Sequence, residues 1–108
     1  MLYLVAIETM ELGVFPPQQG AQIIERQAIP GLEAVVKMEK EKKILAGGVP
    51  VGERRGVFII EAASNEELGE LLLSLPQWGI AKVDVTPLES YESRLRLTRK
   101  SLEQLKAA

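Results

Sequence analysis

Lys43-Ile44-Leu45-Ala46-Gly47-Gly48, followed by Val49-Pro50-Val51-Gly52-Glu53-Arg54-Arg55-Gly56 and then Val57-Phe58-Ile59-Ile60-Glu61, is the stretch that decides the fold. Ile44 to Gly48 and Val57 to Glu61 are β-rich runs, and the residues between them are turn formers, so the stretch reads as a β-hairpin. Downstream, Ser64-Asn65-Glu66-Glu67 places a Glu three residues after a capping Ser, ahead of Leu68, Leu71, Leu72 and Leu75 at helical spacing. Pro76 stops that helix. Ile80 to Pro87 then alternates as a half-buried strand does, with Ala81, Val83 and Val85 on one side and Lys82, Asp84 and Thr86 on the other.

The same grammar runs upstream of the hairpin. Leu2 to Ile7 is almost continuously apolar, which suits a central strand covered on both faces, and Glu8 ends it. Met10 to Phe15 reads as a loop, and Pro16-Pro17 stands where helices commonly begin. A long helix is expected from about Pro17 to Lys43, with Ile23, Ile24, Ile29, Leu32, Val35, Val36 and Met38 as its apolar stripe. Pro30-Gly31 predicts a kink or break near Ile29, because proline lacks an amide donor and clashes with the preceding turn. Lys37 to Lys43 mixes both charge signs and reads as a solvated last turn.

The order is therefore β-α-β-β-α-β, a ferredoxin-like α+β domain with a four-stranded antiparallel sheet, filling residues 1–108 as one domain. Residues 88–108 form a helical C-terminal extension with Tyr91, Leu95, Leu102 and Leu105 near helical spacing and Arg94, Arg96, Arg99 and Lys100 around it. In such a domain the helices cover one side of the sheet. An apolar second side then requires a partner subunit or a ligand, and a homodimer is the expectation.

The composition, 46% hydrophobic and 26% charged, is that of an ordinary globular domain. A net charge of −2 with interleaved basic runs argues against a nucleic-acid partner. The chain has no cysteine and no histidine, which removes disulfides, thiolate and imidazole metal sites, thiol nucleophiles and Ser-His-Asp triads. No apolar run reaches membrane-spanning length and no signal-peptide pattern opens the chain, so the expected location is the cytoplasm. The glycines form neither a P-loop nor G-x-G-x-x-G, and no EF-hand spacing is present, so no cofactor or metal is expected.

With this order of elements, Met1-Leu2-Tyr3, Lys43-Ile44-Leu45-Ala46-Gly47-Gly48 and the segment from Leu72-Leu73-Ser74-Leu75-Pro76 to Val83-Asp84-Val85-Thr86-Pro87-Leu88 resemble the muconolactone delta-isomerase family. The resemblance covers most of the chain up to the C-terminal helix. It implies a small subunit of the dimeric α/β-barrel type, pairing through its sheet, and an enzyme that shifts a double bond in a lactone. The chain departs from the family enzyme at Pro30-Gly31, in lacking histidine and in its Arg-rich C-terminal end. The Lys43 to Gly48 turn is also similar to that of the YCII-like group, whose His-Asp pair has no counterpart here.

A double-bond shift needs an acid/base group in a dry pocket and a group to hold enolate charge. Asp84 and Lys82 on the last strand are the first candidates, with Glu61 or Glu8 from neighbouring strands. Structural ion pairs would explain the same residues. Tyr3 is a candidate donor to a substrate oxygen, or else a core aromatic. Arg54, with Arg55, is placed to clamp the carboxylate of a small organic acid, or simply to solubilise the turn. Trp78 would wall a pocket or fill a subunit contact. The alternative to an isomerase is a non-catalytic dimeric module that binds a small ligand or serves assembly.

Overall fold

The computed structural model describes residues 1–108. Four antiparallel strands form one sheet in the order β2-β3-β1-β4. β1 (Leu2–Thr9) is central and pairs with β3 (Arg55–Glu61) and β4 (Ala81–Leu88), while β2 (Ile44–Gly48) pairs with β3 at the outer edge. This is the architecture that the hairpin and the alternating last strand predict. β1 runs two residues past Ile7 because Glu8 and Thr9 still pair with Lys82 and Ala81.

Strand alternation divides the sheet into two unlike faces. Tyr3, Val5, Ile7, Ile44, Phe58 and Ile60 point under the helices and are buried. Met38, Leu68, Leu72 and Leu75 close over them from the helical layer to complete the core. Each such side chain contributes roughly 1.5–3 kcal/mol through burial. Leu2, Leu4, Ala6, Val57 and Ile59 lie at the opposite parity, on a face that no element of this chain covers. The apolar character of β1 thus has two causes: a finished core on one side and an open surface on the other.

The β2–β3 ladder slips by one residue between Ile44 and Ala46. Gly47 sits at φ 155° beside this irregularity, where a Cβ would lie 2.4 Å from the carbonyl oxygen of Val57. Only glycine lets the edge strand approach that closely.

The long first helix differs from expectation. α1 (Pro17–Ile23) passes through a π turn (Ile24–Ala28) into α2 (Ile29–Lys40) without a break at Pro30. Pro30 follows directly on the π turn, whose Ile29 amide bonds back to the Ile24 carbonyl, and this widened turn accommodates the proline ring and its missing amide. The helix ends at Lys40 rather than Lys43, with Lys42 in a left-handed conformation at φ 60°.

α3 (Asn65–Leu73) starts as its cap predicts. Ser64 Oγ accepts from the Glu67 amide at 3.1 Å, and Glu67 Oε2 accepts from the Ala63 amide at 2.6 Å. After β4, two residues lead into α4 (Tyr91–Ala107), which is capped by Ser90 and buries none of its residues. It stretches the molecule to 68 Å against 27 and 23 Å in the other directions. No helix is long and apolar enough to cross a membrane.

Candidate functional site

Polar chemistry concentrates at one end of the sheet, where β1 finishes and β3 begins. The Thr9 amide donates to the Arg54 carbonyl at 2.9 Å and ties the hairpin turn to the end of β1. Beneath that tie, on the helix side, lies a cleft of about 340 Å³. Its walls are Ile7, Leu12, Ala28, Leu32, Val49 and Gly56; its polar residues are Thr9, Glu53, Arg54, Arg55 and Gln77. Apolar walls with a few convergent polar groups are the usual make-up of a small-molecule site, and the volume falls at the lower end of the usual range.

The cleft is assembled from three separate pieces of sequence. The turn after Gly48 carries Glu53 to Arg55, and Glu53 Oε2 accepts from Arg55 Nη2 at 3.0 Å. Arg54 Nη1 lies 3.6 Å from Glu11 Oε1, with both side chains well exposed. Such exposed pairs contribute at most about 1 kcal/mol, so Arg54 is easily diverted to a ligand anion. The π turn and start of α2 present Ala28 and Leu32.

Gln77 forms the third piece. It follows Pro76 in the turn before β4, is 6% exposed, and its Oε1 is buried without a hydrogen-bond partner. Its amide occupies the space over Gly31, where a Cβ would come within 2.3 Å of Oε1. A buried, unsatisfied amide oxygen costs roughly 1–3 kcal/mol, a strain typical of functional sites. The Pro30-Gly31 step thus has a local purpose: Gly31 clears the seat of Gln77.

The residues singled out from sequence are distributed over both faces. Arg54 lies in the cleft. Asp84, Lys82 and Glu61 lie on the open face, opposite Ala6, Glu8 and Leu2 of β1 in the strand register. Lys82 and Asp84 are near neighbours, whereas Glu61 is four rungs and two strands from Asp84, about 16 Å by strand spacing. None of the three forms an ion pair within the chain. Tyr3 is on the other side of the sheet from them, 1% exposed, and its hydroxyl donates to Asn65 Oδ1 at 2.5 Å. That bond ties β1 to the first turn of α3. Trp78, 41% exposed, stands beside Gln77 but does not line the cleft.

Glu53, Thr9 and Gln77 were not legible as site residues. Glu53 reads as one more turn charge, and Gln77 as part of a proline turn; the one sequence signal for Gln77 is a glycine 46 positions upstream, at Gly31. No group of three or more carboxylates converges to hold a metal ion.

The profile of the muconolactone delta-isomerase family matches residues 1–94. No curated protein matches the chain in sequence. Among solved structures, a muconolactone isomerase superposes with a TM-score of 0.69 at 17% identity, covering 84% of this chain and 91% of that one. A 5-chloro-2-hydroxyhydroquinone dehydrochlorinase from Burkholderia phenoliruptrix AC1100, solved with 2,5-dihydroxybenzoquinone, superposes with a TM-score of 0.58 at 18% identity, covering 86% and 98%. These likenesses establish the fold: a four-stranded antiparallel sheet with helices on one face.

Proposed function

Because the chain belongs to the muconolactone delta-isomerase family, we propose that it is a small, cofactor-independent isomerase that shifts a double bond in a small unsaturated acid or lactone. The observation that carries the placement is the cleft itself, an apolar wall with two arginines and one half-exposed carboxylate at its mouth, which bound substrate would shield from water. Arg54, helped by Arg55, holds the substrate carboxylate. Glu53 takes a proton from the α carbon next to the carbonyl of a β,γ-unsaturated substrate and returns it to the γ carbon, the far end of the original double bond, as that bond moves to the α,β position. The charge that gathers on the carbonyl oxygen between these steps faces the guanidinium groups, and the proton count is unchanged at the end.

A second reading places the chemistry on the open face. Lys82 and Asp84 border an apolar floor of Leu4, Ala6 and Val57 and have no ionic partner within the chain. Such a site becomes dry only when a second copy covers it. Self-association through this face is part of the proposal, since Leu2, Leu4, Val57 and Ile59 otherwise meet water.

Proton exchange in D₂O, followed by NMR on a lactone acid incubated with the protein, separates the readings. Glu53→Gln abolishes exchange and Arg54→Ala raises KM if the cleft is the site, while Asp84→Asn leaves both near wild type. Loss of exchange in Asp84→Asn with Glu53→Gln intact moves the chemistry to the open face. Binding with no exchange in any variant makes the protein a ligand-binding module.

A further inference from the structure

Gln77 lines the cleft, yet the proposed reaction gives it no task. It is 6% exposed, and neither polar atom of its carboxamide has a hydrogen-bond partner within the chain. Oε1 is sealed against the backbone of Gly31, so Nε2 is the amide atom left to the cleft. We propose that Gln77 is a binding residue of this site, donating through Nε2 to an uncharged oxygen of the substrate at the end remote from its carboxylate, an assignment that rests on the cleft being the substrate site.

The fold itself has no use for this amide. The wall around it is apolar, with Ile7, Leu12, Ala28 and Leu32, and a methionine or leucine would fill the same space without orphaning a polar atom. Its seat is unfavourable as well. Gly31 stands inside α2, where glycine weakens a helix, and a Cβ there would lie within 2.8 Å of all three terminal atoms of the Gln77 side chain. Two locally destabilising residues are thus placed together, and what they hold is an unused donor at the wall of a cavity.

Strand order decides which part of a substrate reaches Gln77. β1 lies between β3 and β4, and Thr9 stands between Arg54, to whose carbonyl its amide donates, and its register partner Ala81. The turns before β3 and β4 therefore approach the cleft from opposite flanks, about 10 Å apart by strand spacing. Arg54 and Arg55 come from one flank, and Gln77, in the turn that leads to Ala81, comes from the other. A carboxylate held by the arginines leaves the opposite end of a small ring at Gln77. A neutral amide among apolar walls is matched there by a neutral acceptor, since a second carboxylate would be buried without a cation. The substrate class is thus a small cyclic acid with a ring carbonyl or comparable uncharged oxygen across from its carboxylate. Acids without that oxygen leave Nε2 unpaired and bind less well.

Two saturated acids test this without any turnover: cyclopentanecarboxylate, and its analogue with a ketone oxygen across the ring. Calorimetry gives their dissociation constants for the full-length wild type, Gln77→Met and Arg54→Ala, with a thermal melt of each protein alongside. The wild type is expected to prefer the ketone acid about tenfold. Gln77→Met removes that preference by weakening the ketone acid alone, and its Tm stays level or rises because no amide is left orphaned. Arg54→Ala weakens both acids alike. A preference that survives in Gln77→Met, or is absent from the wild type, overturns the assignment of Gln77 and leaves the cleft reading standing wherever Arg54→Ala still weakens both acids. Loss of both acids in Gln77→Met together with a lowered Tm overturns it in favour of a structural amide. Affinities untouched by Arg54→Ala, or no binding of either acid, remove the cleft reading and the assignment with it.

Discussion

The two faces of the sheet are built from the same strands, yet they obey different rules. Under the helices, Tyr3, Val5 and Ile60 are at most 1% exposed, and even the tyrosine hydroxyl has its partner in Asn65. On the other face, Leu4 is 40% exposed, and Lys82, Asp84 and Glu61 have no ionic partner in the chain. One face is filled by this chain's own helices over β1 and β3 and leaves Val85 open only at the β4 edge; the other has no cover from this chain at all. The cleft stands at the end of the helix-side face, where the Thr9–Arg54 backbone hydrogen bond pins the turn that carries Glu53 and Arg54, and Gln77 is seated over Gly31.

The sharpest way to break this contrast is paired truncation. Ile60→Ala empties the core and costs about 2–5 kcal/mol in a chemical denaturation experiment, independent of protein concentration. Ile59→Ala, its neighbour on the open face, has a smaller effect that grows with protein concentration as self-association contributes. Equal and concentration-independent losses would mean that the two faces are equally finished by the chain itself.

Gly47→Ala probes the edge on which the hairpin is built. A Cβ 2.4 Å from the Val57 carbonyl oxygen must push β2 off β3, with a loss of roughly 1–3 kcal/mol visible as a lowered Tm. Arg54→Ala addresses the cleft without touching the core. Its effect is a loss of about 1.5–3 kcal/mol in the binding of a small carboxylate, read by calorimetry, with the Tm unchanged because its Glu11 pair is exposed. Ser64→Ala, at the cap of α3, has the smallest effect, about 1 kcal/mol of stability with ligand affinity unaltered.

The finished face was legible from the chain because its signals are local. Alternation in Ile80 to Pro87, the Ser64 cap and the turn formers between Ile44 and Ile60 each fix their own element, and the elements admit one order. The helix interruption was legible in position but not in form. Pro30 forbids a regular amide bond, yet whether a chain breaks or widens into a π turn depends on what packs beside it, here Gln77 against Gly31.

The candidate cleft was legible in part. Arg54 is readable because a turn between two strands must come to the sheet end, and an arginine there faces whatever cleft forms. Gln77 was not, because its environment is made by a residue far away in sequence. Tyr3 shows the limit of parity arguments: in a strand apolar on both faces, nothing local says which side a side chain takes, and it lies under the helices rather than beside Asp84.

The measurement that tests the central claim most directly is a crystal structure of the protein soaked with a small unsaturated lactone acid. The expected result is ligand in the cleft, its carboxylate against Arg54 and its ring between Leu32 and Gly56, with Glu53 at the edge of the ring. Ligand bound instead beside Lys82 and Asp84, with the cleft empty, would contradict it.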